Sequence, residues 1–223
     1  MLRAVLLDAL GTLIELPAPW PALASELAAR GVAVTEDEAR AALLEEMAHY
    51  RAHHDEATGP AELDDLRDRC TEVLRGALPE RARHVGDLRG ALLGALRFRP
   101  YPEVPGVLAE LGELGVARVV VSNWDVSLRG VLDETGLAPL LDGLVISAEV
   151  GAAKPDPAIF ERALEVAGAG PGEALHIGDT VDVDVAGALA AGLRAVHLDR
   201  SGADREAMTT LAELPGLVRS AVR

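Results

Sequence analysis

The chain has 223 residues, 49% of them hydrophobic, and a formal net charge of −15 at pH 7. This length and hydrophobic content allow a buried core with a modest insertion, which excludes extensive disorder. The strong negative charge and the absence of a basic cluster argue against nucleic acid as a partner, because cations must neutralise its phosphates.

The sequence holds one cysteine, Cys70, so it can form no internal disulfide. It shows no secretory signal pattern and no apolar run long enough to span a bilayer. We therefore expect a cytoplasmic protein that has no membrane segment. Nothing in the composition indicates an oligomeric state.

The chain opens with an apolar segment, residues 2–7, which ends at Asp8 and is followed by Gly11-Thr12. A buried apolar run that stops at a polar residue and a turn is typical of a strand in a parallel sheet. Similar segments recur further along the chain. They are 117–121 before Ser122, 143–147, 174–177 before Gly178-Asp179, and 193–198 before Asp199.

Segments with helical periodicity separate these strands, and a glycine follows each of them. The segments are 104–114, 126–135, 157–167 and 181–191. Strands that alternate with helices predict an α/β fold with a doubly wound parallel sheet.

The stretch 16–97 breaks this alternation, because it has helical periodicity throughout and no convincing strand. The helices predicted there are 20–30, 35–54, 61–77 and 82–96, and Thr35 with Glu38 forms a capping-box signature. We predict an α/β core formed by residues 1–15 and 98–223, with an all-helical insertion at 16–97. The prolines at the junctions, Pro17, Pro19, Pro100 and Pro102, indicate hinge-like connections.

Polar residues lie at the ends of several predicted strands, where ligands of open parallel sheets bind. They supply a carboxylate that can attack, a hydroxyl and an amide that can bind oxygens, and a second carboxylate that can share a divalent cation. Lys154, the only lysine beside 20 arginines, suggests a site that needs a compact ammonium. The strand-end residues are Asp8, Ser122, Asn123 and Asp179.

Four segments resemble the motifs of the haloacid dehalogenase (HAD) superfamily, and they occur in the family's order. The helical insertion also lies where many members carry a helical cap. In order, the segments are Leu6-Leu7-Asp8-Ala9-Leu10-Gly11-Thr12-Leu13, Val120-Val121-Ser122-Asn123, Lys154-Pro155, and Gly178-Asp179-Thr180 through Asp184.

The resemblance implies a Mg²⁺-dependent phosphatase that acts on a small phosphorylated metabolite through an aspartyl-phosphate on Asp8. Ser122 and Lys154 would be the other catalytic residues and would bind the phosphoryl oxygens. Further substrate-binding residues would be Gly11, Thr12 and Asn123. The metal ligands would be Asp8, the Leu10 carbonyl and Asp179. Asp184 would position the metal site without binding the metal directly.

Leu10 departs from the family pattern, because phosphatases of the family usually carry there an aspartate that protonates the leaving group. Leucine cannot act as an acid or a base, so hydrolysis of alkyl phosphates should slow by about 10²–10⁴-fold. The resemblance therefore leaves two alternatives. One is a 2-haloacid dehalogenase, which needs an arginine such as Arg30 or Arg40 for the substrate carboxylate, and the other is an impaired binding or interaction module.

Three histidines and the cysteine are interpreted as structural residues. His49 and His53 are one helical turn apart beside charged residues, which is more typical of a solvated face than of a metal site. His176 lies in an apolar strand and is interpreted as a core histidine. Cys70 has no evident partner base in its charged surroundings.

Overall fold

Five parallel strands form a sheet in the order β5-β4-β1-β6-β7 in the computed structural model, which describes residues 1–222. The predicted doubly wound parallel sheet is confirmed. The strands are β1 (Ala4–Leu7), β4 (Ala117–Ser122), β5 (Gly143–Ile146), β6 (Ala174–Gly178) and β7 (Arg194–His197), and a separate antiparallel pair consists of β2 (Ile14–Glu15) and β3 (Arg99–Pro100).

Strand β1 lies at the centre of the sheet because both of its faces are apolar. All four of its residues are buried, and fully burying a leucine such as Leu6 or Leu7 contributes about 1.5–3 kcal/mol. Leu7 is in register with Val120 on β4 and with Ile177 on β6. The carboxyl ends of three neighbouring strands therefore meet at one edge of the sheet.

The chain divides into two compact units. The α/β unit comprises Met1–Glu15 and the chain from Arg99 onward, and the helical unit comprises Leu16–Phe98. The helices of the α/β unit are α5 (Val104–Glu113), α6 (Leu128–Glu134), α7 (Ser147–Val150), α8 (Pro157–Ala167), α9 (Ala186–Ala190) and α10 (Leu214–Val222).

Two helices of the α/β unit start differently from the prediction. Helix α6 begins at Leu128 rather than at 126, because the Asp125 carboxylate accepts a hydrogen bond from the Ser127 amide and so favours a local turn. The helix predicted from 181 opens with a π-helical turn, Val181–Val185, which precedes α9. That wider turn contains the buried Asp184.

The helical unit contains four α-helices around its own apolar core, in which Leu27, Leu43 and Leu74 are fully buried. The predicted capping box is confirmed, with the Thr35 hydroxyl accepting from the Glu38 amide at 3.2 Å. The last helix begins at Leu88 rather than at 82, because the Asp87 side chain caps it by accepting from Gly90. The helices are α1 (Trp20–Ala29), α2 (Glu36–His53), α3 (Pro60–Ala77) and α4 (Leu88–Ala95).

The antiparallel pair β2 and β3 was not predicted, because each strand is only two residues long. Ile14 is in register with Pro100, and Glu15 with Arg99. The chain thus leaves and re-enters the α/β unit through adjacent paired strands. Within residues 1–222, no helix is both long enough and apolar enough to cross a membrane.

Candidate active site

Three carboxylates converge at the carboxyl ends of the central strands. Asp8 directly follows β1 and Asp179 directly follows β6, whereas Asp184 comes from the π-helical turn. One side-chain oxygen from each lies within 4.8 Å of the others, and within residues 1–222 this is the one such group of three or more acidic, histidine or cysteine side chains. The Asp8 amide donates to the Ile177 carbonyl at 2.9 Å, which fixes the residue to the end of β6.

Lys154 lies between two of these carboxylates. Its Nζ donates to Asp8 Oδ1 and to Asp184 Oδ1, each at 2.6 Å, and only 2% of its side chain is exposed. The Ser122 hydroxyl is 3.4 Å from the same oxygen of Asp8. A compact ammonium can serve two acceptors in this way, as the presence of a single lysine suggested.

Asn123 fixes the backbone of Lys154 through both groups of its amide. Its Nδ2 donates to the Lys154 carbonyl at 2.9 Å, and its Oδ1 accepts from the Lys154 amide at 2.7 Å. The side chain predicted to bind substrate is therefore engaged in positioning the lysine.

Asp184 is held by donors on both of its carboxylate oxygens. Oδ1 is 3.1 Å from Nε2 of His176, and Oδ2 accepts from the Thr180 amide at 3.0 Å. Because an ionised carboxylate only accepts, His176 Nε2 must carry the proton. His176 is fully buried, as expected of a core histidine, but it also supports the site.

The electrostatics of the cluster follow from burial and from the position of Lys154. Burial raises the pKa of Asp8 to about 6, although the Lys154 ammonium opposes the rise. Burial would also raise the pKa of Asp184, but the hydrogen bond from His176 and the charge of Lys154 outweigh it and hold this pKa well below its usual range. The two carboxylates in turn raise the pKa of Lys154 despite its burial. The lysine is therefore charged at neutral pH.

Asp179 differs from Asp184, because its carboxylate is open to solvent. The buried part of its side chain and the charge of Asp184 nevertheless raise its pKa. Gly11 lies against it in a left-handed conformation with φ of 85°, and a Cβ there would come within 2.1 Å of Asp179 Oδ2. Only glycine fits this turn.

The remaining predicted residues of the first motif are placed as follows. Thr12 is fully buried, and its hydroxyl has no hydrogen-bond partner among the described residues. The Leu10 side chain is 42% exposed. The side chain at this position is thus an exposed apolar group that can neither donate nor accept a proton.

Two residues near the site were not singled out in the sequence. His197, which ends β7, has Nε2 at 3.2 Å from the Asp179 carbonyl. Arg200 donates to the carbonyls of Gly11 and Thr12. His197 lies inside the predicted strand 193–198, so the strand-end rule that selected Asp8 did not select it, and Arg200 follows β7 by three residues and carries no local signal.

The helical unit holds no comparable group in its described residues. The His49 and His53 rings stack 4.2 Å apart, and among the described residues they belong to no group of three or more acidic, histidine or cysteine side chains. Cys70, for which no partner base was expected, is buried and hydrogen-bonds to the buried Glu46. A cavity of about 700 Å³ in this unit is lined by residues such as His49, Arg75 and Arg89.

The chain is similar to known phosphatases in sequence. It is 40% identical over 126 residues to a phosphoserine phosphatase of Thermus thermophilus, a match covering 56% of this chain and 50% of that protein. It is 38% identical over 118 residues to the pyrimidine 5'-nucleotidase YjjG of Escherichia coli, covering 51% and 52%. The chain thus spans about half the length of these relatives.

Solved structures of two activities share its fold. A HAD phosphatase from Thermococcus onnurineus is 25% identical with a TM-score of 0.67, covering 97% of this chain and 98% of that one. A 2-haloacid dehalogenase from Pseudomonas syringae pv. Tomato DC3000 is also 25% identical with a TM-score of 0.67, covering 99% and 100%. A profile of haloacid dehalogenase-like hydrolases matches residues 2–192. The chain therefore belongs to the family of haloacid dehalogenase-like hydrolases.

Proposed function

We propose that this hydrolase is a Mg²⁺-dependent phosphatase that acts on a small phosphorylated metabolite, with Asp8 as its nucleophile. Residues 1–15 and 98–223 would form the catalytic core, and residues 16–97 would form a cap. The observation that carries the proposal is the group of three carboxylates within 4.8 Å, with Lys154 bound to two of them.

The charges of this cluster favour a divalent cation. Three carboxylates against one ammonium leave two negative charges, which would repel an anionic substrate unless a cation balances them. Carboxylate and carbonyl oxygens are the ligands that Mg²⁺ prefers. We assign Asp8, Asp179 and the Leu10 carbonyl to the cation, which when bound would polarise the phosphoryl group.

Asp184 has a different role in this proposal. Both of its oxygens already accept hydrogen bonds from Lys154, His176 or Thr180. It would therefore hold Lys154 in place rather than bind the cation directly.

The chain's own residues would carry out two displacements at phosphorus. Lys154 and Ser122 both contact Asp8 Oδ1, which leaves Oδ2 as the oxygen that we assign to the attack. Asp8 forms a bond to phosphorus while the leaving oxygen departs with the electron pair of the broken P–O bond. Water then attacks the phosphorus of the aspartyl-phosphate, which releases inorganic phosphate and restores Asp8. Ser122 and Lys154 would bind the phosphoryl oxygens during both steps.

The relatives support a phosphate ester as the substrate class. A phosphoserine phosphatase and a pyrimidine 5'-nucleotidase are both similar to this chain in sequence. The choice between such substrates would depend on residues outside the acidic cluster.

Leu10 makes the leaving group decisive for the rate. With no carboxyl group at this position, the leaving oxygen must depart without a proton from residue 10. We expect aryl and acyl phosphates to be hydrolysed much faster than sugar or alkyl phosphates, because their leaving groups bear negative charge more easily.

The test is a leaving-group series with Mg²⁺, measured on the wild type, Leu10→Asp and the matched control Leu10→Asn. Leu10→Asp should raise alkyl phosphate hydrolysis preferentially, by up to about 10²–10⁴-fold, whereas Leu10→Asn should not. The exposure of Leu10 means that a carboxylate there would be solvated. Equal rates for aryl and alkyl phosphates in the wild type would show that another group supplies the proton.

Two further variants test the roles of the carboxylates. Asp8→Asn removes the nucleophile and should abolish phosphate release from every substrate in the series. Asp179→Asn should weaken Mg²⁺ binding, which can be measured by calorimetry without turnover. Activity retained in Asp8→Asn would disprove the covalent mechanism.

A 2-haloacid dehalogenase is the second candidate, favoured by the apolar Leu10 and by the shared fold of a solved dehalogenase. The arginines suggested for its substrate carboxylate are both engaged within the helical unit. Arg30 pairs with Glu26 and Asp87, and Arg40 lies over the Trp20 ring. Chloride release from a 2-chloroacid without Mg²⁺, in the absence of phosphatase activity, would favour this candidate.

A further inference from the structure

Arg200 uses all three nitrogens of its guanidinium within the α/β unit. Nε donates to the Gly11 carbonyl at 3.0 Å, Nη2 to the Thr12 carbonyl at 2.7 Å, and Nη1 to Glu103 Oε1 at 2.7 Å. The guanidinium carbon also lies 3.4 Å from the centroid of the Tyr101 ring. Only 19% of the side chain is exposed.

These contacts join two passages of the chain that are far apart in sequence. Gly11 and Thr12 belong to the turn that follows Asp8, whereas Tyr101 and Glu103 lie between β3 and α5. Next to the turn, the Tyr101 amide also donates to the Leu13 carbonyl at 3.1 Å. Arg200 therefore ties the turn to the start of α5.

The same turn lies next to the acidic cluster of Asp8, Asp179 and Asp184. The Leu10 carbonyl directly precedes Gly11, and Gly11 lies so close to Asp179 that no side chain would fit between them. A shift of the Gly11–Thr12 turn would therefore move the Leu10 carbonyl relative to Asp179.

We propose that Arg200 is a positioning residue that fixes the Gly11–Thr12 turn and thereby the geometry of the cation site formed by Asp8, Asp179 and the Leu10 carbonyl. The inference rests on the cation site of the proposed function. A planar guanidinium reaches three acceptors in different directions while it stacks on an aromatic ring. A lysine ammonium would keep the charge next to Glu103 but could not reproduce this set of contacts.

The test compares Arg200→Gln with Arg194→Gln, in which an exposed arginine of β7 is changed in the same way. Two measurements are made on each protein, neither of which needs turnover. Calorimetry gives the dissociation constant for Mg²⁺, and hydrogen exchange gives the protection of the amides in 9–14.

We expect Arg200→Gln to weaken Mg²⁺ binding by about 10–100-fold, as loss of residues that orient metal ligands generally does. Removing a positive charge near a cation site should by itself strengthen cation binding. Weaker binding, together with faster exchange confined to 9–14, therefore indicates lost positioning and not lost charge. Arg194→Gln should match the wild type in both measurements.

Unchanged or tighter Mg²⁺ binding by a folded Arg200→Gln protein, with unchanged exchange at 9–14, would overturn the proposal. If Arg200→Gln does not fold, Arg200→Lys is measured in the same way, and wild-type values in that variant would overturn it equally. A wild type that binds Mg²⁺ but releases no phosphate would contradict the proposed function, while the two measurements would still decide the role of Arg200.

Discussion

The two units of this protein bury acidic side chains in different ways. In the α/β unit, Asp184 is 2% exposed and accepts from Lys154 and His176, and its pKa lies well below the usual range. In the helical unit, Glu46 is 4% exposed, and burial raises its pKa to about 7. The hydrogen bond with the Cys70 thiol and the charge of Arg51 oppose this rise without cancelling it. The strength of the nearby donors, and not the depth of burial, decides whether a buried acid keeps its charge.

In the function proposed above, this difference separates a catalytic cluster from a structural acid. Buried ion pairs are often no more stabilising than apolar residues of similar size, so they are weak indicators of stability. The α/β unit nevertheless retains charges on Asp8, Lys154 and Asp184 next to solvent-exposed Asp179. We attribute this arrangement to chemistry at the strand ends.

The largest expected effect comes from removing the buried cation of the α/β unit. Lys154→Met would leave Asp8 and Asp184 buried without their ammonium, and we expect it to lower the free energy of unfolding by about 3–5 kcal/mol. Chemical denaturation at pH 7 measures this loss. Adding Asp184→Asn to the variant should recover part of it, because one uncompensated charge is then removed.

A matched control for this variant is Arg162→Met in α8, whose ion pair with Glu165 is exposed. It should change the free energy of unfolding by less than about 1 kcal/mol. If Lys154→Met costs no more than this control, the carboxylates of the cluster do not depend on the lysine for their charge.

The second prediction concerns Glu46 and has a defined sign. The folded state binds a proton at Glu46 up to about pH 7, whereas the ordinary pKa of the group is 4.5. Stability from this group is therefore present below about pH 4.5 and is lost as the pH rises to about 7, with a total of about 3 kcal/mol. Glu46→Gln removes this titration and should stabilise the helical unit at pH 8 by up to that amount.

Hydrogen exchange of α2 and α3 measures this effect for the helical unit alone, at pH 5 and at pH 8 after correction for intrinsic rates. The control is Glu45→Gln, an exposed neighbour on the same helix. The change in stability of the helical unit between pH 5 and pH 8 is compared in Glu46→Gln and in the wild type. If the two changes are equal, Glu46 titrates normally.

The smallest effect is expected at the surface of the helical unit. Arg89 pairs with Asp64 and Asp68, whose side chains are largely exposed. Arg89→Ala should lower the free energy of unfolding by less than about 1 kcal/mol, and the difference from the wild type should shrink in high salt. A loss that is large and independent of salt would mean that these surface pairs resemble the buried cluster.

The strand-end residues could be predicted because the sheet obeys a simple rule. Apolar runs identified β1, β4 and β6, and these strands proved to be neighbours, so Asp8, Ser122 and Asp179 had to lie at one edge of the sheet. Lys154 was identified as a site residue from the resemblance and because it is the only lysine. Its contact with Asp184 depends on the π-helical turn, which helical periodicity does not indicate.

Contacts between distant segments could not be predicted. Arg200 and Glu103 are 97 residues apart, and neither belongs to a pattern that would pair them. Glu46 is an instructive case, because it follows Ala39, Ala42 and Leu43 at helical spacing and so lies on the buried stripe of α2. The spacing contained this signal, but a glutamate on a charged helix is usually exposed.

The short antiparallel pair also has a consequence for how such a chain can be rebuilt. Glu15 and Arg99 face each other across the pair, and directly opposed residues have Cα atoms about 4.5–5.5 Å apart. A turn of roughly two to five residues can connect such strands, so it could replace the whole segment between them. The strands and helices of the α/β unit would then form one uninterrupted chain. The helical segment would become a module that can be removed or exchanged at the junction between β2 and β3.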